Sequence, residues 1–268
     1  MAAGAVDIIT KPKIGVKDFL ETTMPNMLRV VKAAAGARIT RRPSAAQTHG
    51  VRGSVASQHP VNAAASQEAP ALKVTTEQVI ACGTSTGGTQ ALEAVLTQLP
   101  QTCPGVLVVQ HMPEKFTAAF AERLNKVCRC EVREACDGDR LITGRVLIAP
   151  GGQHMQLRRS GAQYFVSISD GPAVNRHKPS VDVLFRSVAQ AAGRNAIGII
   201  MTGMGNDGAQ GLLAMRQAGA HTIAQDKDSC VVYGMPKEAV DLGAACQILS
   251  LKAIAGIFAQ SAAGARRG

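Results

Sequence analysis

Residues 77–99, EQVIACGTSTGGTQALEAVLTQL, admit few folds. Val79, Ile80 and Ala81 form a short apolar run that breaks into Gly83-Thr84-Ser85-Thr86-Gly87-Gly88, after which Ala91, Leu92, Val95, Leu96 and Leu99 recur at helical spacing. That is a strand, a tight glycine turn and an amphipathic helix. Glycines at 83 and 87 let the backbone bend and pack where a Cβ would collide. The turn reads G-x-S-x-G, the pattern that places a serine hydroxyl on a strand-to-helix corner at the top of a sheet. The helix behind it points its first amides and the positive end of its dipole back at that corner. Ser85 is therefore a candidate nucleophile. The competing reading of such a turn is a phosphate or dinucleotide cradle. The dinucleotide fingerprint G-x-G-x-x-G is not satisfied, because Ser85 stands where its second glycine belongs.

From residue 73 onward the same alternation continues. Val106 to Val109 is an apolar strand ending at Gln110-His111-Met112-Pro113, and Phe116 to Leu124 follows as a helix. Arg145 to Ala149 reads as a strand running into Pro150-Gly151-Gly152, and Met155 to Arg158 pairs with Tyr164 to Ile168 as an antiparallel hairpin. Val181 to Ala192 is helical, and Ala196 to Met201 is a buried strand entering Thr202-Gly203-Met204-Gly205-Asn206-Asp207-Gly208. A helix over 211–218, a short strand over 221–224, a late helix around Val240 and a closing helix over 251–258 complete the pattern. Alternation of this kind predicts an α/β fold: a three-layer α/β/α sandwich around a mostly parallel, doubly wound sheet, with one small antiparallel hairpin.

Three of the apolar strands end in loops that carry Ser85, His111 and Asp207. In a parallel open sheet the carboxyl ends share one edge, where ligands bind near a change of strand order. A hydroxyl nucleophile needs a base, and an imidazole base needs a carboxylate to fix its tautomer and stabilise its cation. His154, His177 and His221 compete with His111 for the base, and Asp182 and Asp226 are the alternatives to Asp207. Asn206-Asp207-Gly208 also reads as a plain turn former. Lys178-Pro179-Ser180 and Tyr233-Gly234-Met235-Pro236 are either cleft-lining loops or ordinary connections.

Composition narrows the function classes. The 268 residues carry a net charge of +10, but residues 1–60 hold nine Lys/Arg against three Asp/Glu, and Arg266 and Arg267 add two more positive charges at the other end. The basic excess thus belongs mainly to the two ends. Aromatics make up 3% with no Trp, which leaves no stacking platform for nucleic acid. No apolar run reaches membrane-spanning length and no signal pattern opens the chain, so a cytoplasmic location without membrane insertion is expected. Seven cysteines without regular spacing read as reduced packing or surface thiols. No metal or cofactor is expected.

Residues 1–36 resemble the last strand and helix of a response-regulator receiver domain. Gly4 to Ile9 supplies a β-branched strand ending at Lys11-Pro12, and Val16, Phe19, Leu20, Met24, Met27, Leu28 and Val31 mark a helix interrupted by Pro25. Residues 37–74, rich in Arg, Ser, Ala, Gln and Pro, read as a flexible linker, and residues 75–263 as the α/β domain that follows it.

Five blocks of that domain resemble the chemotaxis protein-glutamate methylesterases, in the family's order. They are Gly83 to Gly88, Val109 to Met112, Ile148 to Met155, Arg176 to Asp182 and Met201 to Gly208. The resemblance implies hydrolysis of γ-glutamyl methyl esters on methyl-accepting chemotaxis receptors, deamidation of certain receptor glutamines, and a triad on Ser85, His111 and Asp207. Backbone amides of the turn after Ser85 and of the loop 203–205 are the expected oxyanion donors. Without the bulk of a receiver, contact with a histidine kinase and control by phosphorylation are in doubt. A small-molecule serine esterase and a non-catalytic nucleotide-binding or adaptor protein are the alternatives.

Overall fold

A computed structural model describes residues 78–264, with side chains through residue 257, and the isolated positions Val31 and Ala35. Those two apart, the receiver-like segment 1–36 and the linker 37–74 lie outside the described residues. The chain runs β1 (Val79–Thr84), α1 (Gly88–Leu96), β2 (Gly105–Gln110), α2 (Thr117–Asn125), β3 (Glu131–Glu134), β4 (Arg140–Leu141), β5 (Arg145–Ile148), β6 (His154–Ser160) and β7 (Gln163–Ser169). It continues through α3 (Val181–Ala191), β8 (Ala196–Ile200), α4 (Ala209–Gln217), β9 (His221–Gln225), α5 (Met235–Asp241), β10 (Gln247–Leu249) and α6 (Leu251–Gly264).

Seven strands form one sheet in the order β10-β9-β8-β1-β2-β5-β3, and every neighbouring pair is parallel. A separate antiparallel sheet, β4-β7-β6, contains the expected hairpin and one added strand. Side chains alternate across the main sheet. Ile80, Cys82, Val106, Val108, Val146, Ile148, Ile197 and Ile199 face one core with Leu92, Leu96 and Phe120 of α1 and α2. Val79, Ala81, Leu107, Val109, Leu147 and Ile200 face the other with Leu184, Phe185, Leu212 and Met235 of α3, α4 and α5. Both faces are covered, which is why the central strands read as unbroken apolar runs rather than as alternating ones. Among the described residues no helix is long and apolar enough to cross a membrane.

The sequence pattern missed β3, β4 and β10. β3 is Glu-Val-Arg-Glu and β10 is Gln-Ile-Leu. Each is an edge strand, buried on fewer sides, and edges tolerate charge and brevity. The late helix begins earlier than its apolar residues suggest, at Met235, with Pro236 in its first turn, where a missing N–H costs nothing.

Candidate active site

The strand order reverses at β1. β2 lies on one side of it, and β8, reached much later along the chain, lies on the other. The crevice outside the carboxyl ends of β1, β2 and β8 is thus the switch point of this sheet. Ser85 leaves β1 there, half-buried. Its N–H donates to Thr202 O of the loop after β8 (3.0 Å), and its carbonyl accepts from Gly88 N (2.8 Å) and from Gln110 Nε2 (2.9 Å). Gly87 turns the corner with φ 78°, a left-handed conformation that suits glycine. A Cβ on Gly83 would lie 2.2 Å from Val181 Cγ1, so that glycine lets the start of α3 close onto the end of β1.

Gln110, buried at the end of β2, joins the two strand ends. Its Oε1 accepts from Thr84 Oγ1 (2.6 Å), and its Nε2 also donates to His111 O (3.0 Å). Thr84 pairs with Gln110 in the register, and His111 N donates to Thr84 O (3.1 Å), so Ser85 and His111 are the next opposed residues beyond the ladder. Gln110 was part of a sequence block, but nothing local in that block revealed this tie.

His111 reaches the third residue. Its Nε2 lies 2.8 Å from Asp207 Oδ2, while the buried Nδ1 has no hydrogen-bond partner among the described residues. Asp207 is itself saturated. Oδ1 accepts from Ser180 Oγ (2.7 Å), Asn175 Nδ2 (2.9 Å) and Asp182 N (3.3 Å), and Oδ2 also accepts from Val181 N (2.7 Å). The carboxylate therefore caps the N-terminus of α3, where the helix dipole favours negative charge. Burial pushes the Asp207 carboxyl up, but the hydrogen bond and charge of His111, with the bonds from Asn175 and Ser180, outweigh it and hold the group at about 2. It is a carboxylate at any working pH.

Asp182, the first alternative carboxylate, is buried in α3 and caps the other helix. Its Oδ1 accepts from Gly208 N (3.1 Å) and Gly211 N (2.7 Å) at the start of α4. Asn175 Nδ2 bridges the two acids, 2.8 Å from Asp182 Oδ2 and 2.9 Å from Asp207 Oδ1. The two helices are thus capped reciprocally, each by an acid from the other's sequence neighbourhood. Asp226 accepts from Ser229 N and Oγ (2.9 and 2.6 Å) and holds the loop after β9.

The competing histidines separate as clearly. His154 Nδ1 accepts from Ser180 N (3.2 Å), leaving its Nε2 to donate to Pro172 O (3.0 Å), so both nitrogens are occupied. His221 begins β9, at the opposite edge of the sheet. His177 does enter the site, lying flat against His111 with ring centroids 3.6 Å apart and planes 8° from parallel. One expectation for the oxyanion donors needs correcting. Gly203 N donates to Val232 O (3.1 Å) and serves the loop instead.

This arrangement sets an imidazole held by a carboxylate beside a serine at the switch point of the sheet. The chain also matches the family described as CheB methylesterase over residues 80–258, two thirds of its length. It belongs to the CheB methylesterase family. It is 57% identical to "Protein-glutamate methylesterase/protein-glutamine glutaminase 1" of Xanthomonas oryzae pv. oryzae over 255 residues, covering 95% of this chain and 72% of that protein. It is 59% identical to "Protein-glutamate methylesterase/protein-glutamine glutaminase 3" of Shewanella oneidensis over 257 residues, covering 95% and 71% respectively. Among solved structures, the CheB methylesterase catalytic domain of Thermotoga maritima superposes with a TM-score of 0.66 at 35% identity, covering 68% of this chain and 96% of that one. The CheB fold and the seven-stranded parallel sheet described above are the same architecture.

Proposed function

We propose that this chain hydrolyses γ-glutamyl methyl esters on a protein substrate, and deamidates glutamines at related positions, with Ser85 as nucleophile, His111 as base and Asp207 as its carboxylate. The substrate class is the methyl-accepting chemotaxis receptor, as the five sequence blocks imply. The observation that carries the reading is the His111–Asp207 pair at the sheet's switch point, with Ser85 the residue opposed to His111.

The hydrogen bonding of His111 supports one direction of proton flow. Asp207 is an acceptor only, so neutral His111 carries its proton on Nε2 and its lone pair on Nδ1. Nδ1 is then the atom that takes the Ser85 proton as Oγ attacks the side-chain acyl carbon. The resulting imidazolium is stabilised by the Asp207 charge. Ser85 N and Gly203 N both have backbone acceptors, so the oxyanion donors of this reading are the amides of the turn after Ser85 and those of Met204 and Gly205. Collapse of the tetrahedral intermediate breaks the ester C–O bond, or the amide C–N bond, and His111 returns the proton so that methanol or ammonia leaves. A water molecule, deprotonated by the same nitrogen, then releases the glutamate and regenerates Ser85. The Ser85 and His111 hydroxyl–imidazole bond is not formed in the free site, where such contacts are often long and tighten only around substrate.

The test is methanol release from a methylated receptor by the wild type and by Ser85→Ala. Loss of release in the variant, with a fluorophosphonate probe labelling only the wild type, supports the proposal. Undiminished release from Ser85→Ala refutes it.

A further inference from the structure

We propose that His177 is a positioning residue for His111: its stacked ring fixes the plane of the base. The inference rests on the reading of His111 as the base. The Cβ bond and the Nε2 hydrogen bond to Asp207 hold the imidazole at two points and leave the ring able to swing about the line between them. Swinging moves Nδ1, the atom that must meet the Ser85 hydroxyl. A parallel ring at 3.6 Å is in van der Waals contact across its whole face, and it opposes that swing.

The segment that presents His177 is built at a cost. Val174 and His177 exchange backbone hydrogen bonds (3.1 and 2.9 Å), enclosing a two-residue turn at Asn175 and Arg176. Both turn residues have positive φ, 50° and 67°, as the hairpin-favoured type I′ turn requires. Glycine is the relaxed choice at the second of these positions, yet arginine occupies it. Strain of this kind persists where the surrounding contacts over-determine it. Here they do so from both ends of the turn. Asn175 bonds the Asp207 and Asp182 carboxylates, and His177 lies on His111. One tight turn therefore holds the base twice, through its carboxylate and through its ring face.

The experiment measures kcat and KM for methanol release from a methylated chemoreceptor, with the full chain carrying His177→Ala, His177→Leu or His177→Phe. Ser85→Ala is the zero, and a thermal melt accompanies each variant. Misplacing a reacting group by an ångström costs up to about 100-fold, so His177→Ala and His177→Leu should lose roughly 10- to 100-fold in kcat. KM should stay within about twofold, because the stack touches the base and not the substrate. His177→Phe restores a flat ring without a titratable nitrogen, and it should recover most of kcat. If His177→Ala does not fold, the comparison of the Leu and Phe variants decides the matter. Equal kcat in the wild type and the Leu variant overturns the proposal. So does a Phe variant as slow as Leu, which would make the imidazole's own proton chemistry the requirement. A raised KM with unchanged kcat also overturns it, by assigning His177 to substrate contact. Methanol release that survives Ser85→Ala removes the underlying assignment and this inference with it, whereas a dead Ser85→Ala beside a wild-type His177→Leu removes this inference alone.

Discussion

Replacing Asp207 by asparagine tests the centre of the site through activity and stability at once. The side chain accepts five hydrogen bonds, and all but the hydroxyl of Ser180 and the tautomerising ring of His111 come from groups that can only donate. If the new amide nitrogen takes the place of Oδ2, it meets Val181 N–H and His111 Nε2. If it takes the place of Oδ1, it meets Asn175 Nδ2 and Asp182 N–H. Either way at least one buried donor is orphaned, at about 1–3 kcal/mol. Loss of the negative charge at the N-terminus of α3 adds about 0.3–1 kcal/mol. A destabilisation of about 1.3–4 kcal/mol follows, which in a domain of this size lowers Tm by roughly 3–16 °C. Catalysis suffers more. An amide nitrogen facing His111 forces its proton onto Nδ1, the atom that must accept from Ser85, and kcat should fall about 10³- to 10⁴-fold. The melt also carries a pH signature. The Asp207 carboxyl is lowered from its ordinary 3.8 to about 2, so its charge contributes stability above pH 4 that is lost as pH falls from 4 toward 2. That contribution is about 2 kcal/mol, and the gap between wild type and variant should narrow over the same interval. Calorimetry between pH 2.5 and 7 and methanol release at neutral pH supply the readings. Full activity, or an unchanged Tm at pH 7, refutes the assignment of this carboxylate.

Ser85→Ala and His111→Ala should each remove nearly all methanol release, with the melt close to wild type for Ser85→Ala and lowered for His111→Ala, which strips the buried Asp207 carboxylate of its main partner; the double variant should lose little more activity than either single one, since members of a triad act as a unit, and multiplying losses would place the two residues in separate steps. Gly83→Ala puts a methyl 2.2 Å from Val181 Cγ1 and should cost about 1–3 kcal/mol in denaturant unfolding, with reduced activity because Val181 N–H also holds Asp207. Asn175→Ala removes the donor shared by two buried carboxylates and should destabilise by about 1.5–3 kcal/mol; a melt indistinguishable from wild type would show that the bridge between Asp182 and Asp207 carries no energy.

What the sequence determined by itself is what is encoded within a few residues. Apolar runs at 79–81, 106–109 and 196–201 marked the central strands because both sides of each strand are buried, and helical spacing marked α1 and α3. The G-x-S-x-G turn required its glycines for reasons visible locally, a positive φ at Gly87 and a close approach at Gly83. Parallel strands put their carboxyl ends on one edge, so Ser85, His111 and Asp207 were candidates before any contact was known. The edge strands β3 and β10 escaped because partial burial lets polar residues occupy them. Tertiary structure alone decided which nitrogen of His111 meets Asp207, that Asp182 caps α4 and stands apart from the base, and that His154 is occupied at both nitrogens. It alone brought Asn175 to the two carboxylates and laid His177, one of the candidate bases, against the ring of His111. Partner choice among donors and acceptors depends on which segments the strand order brings together, and that order is set by packing both faces of the whole sheet at once.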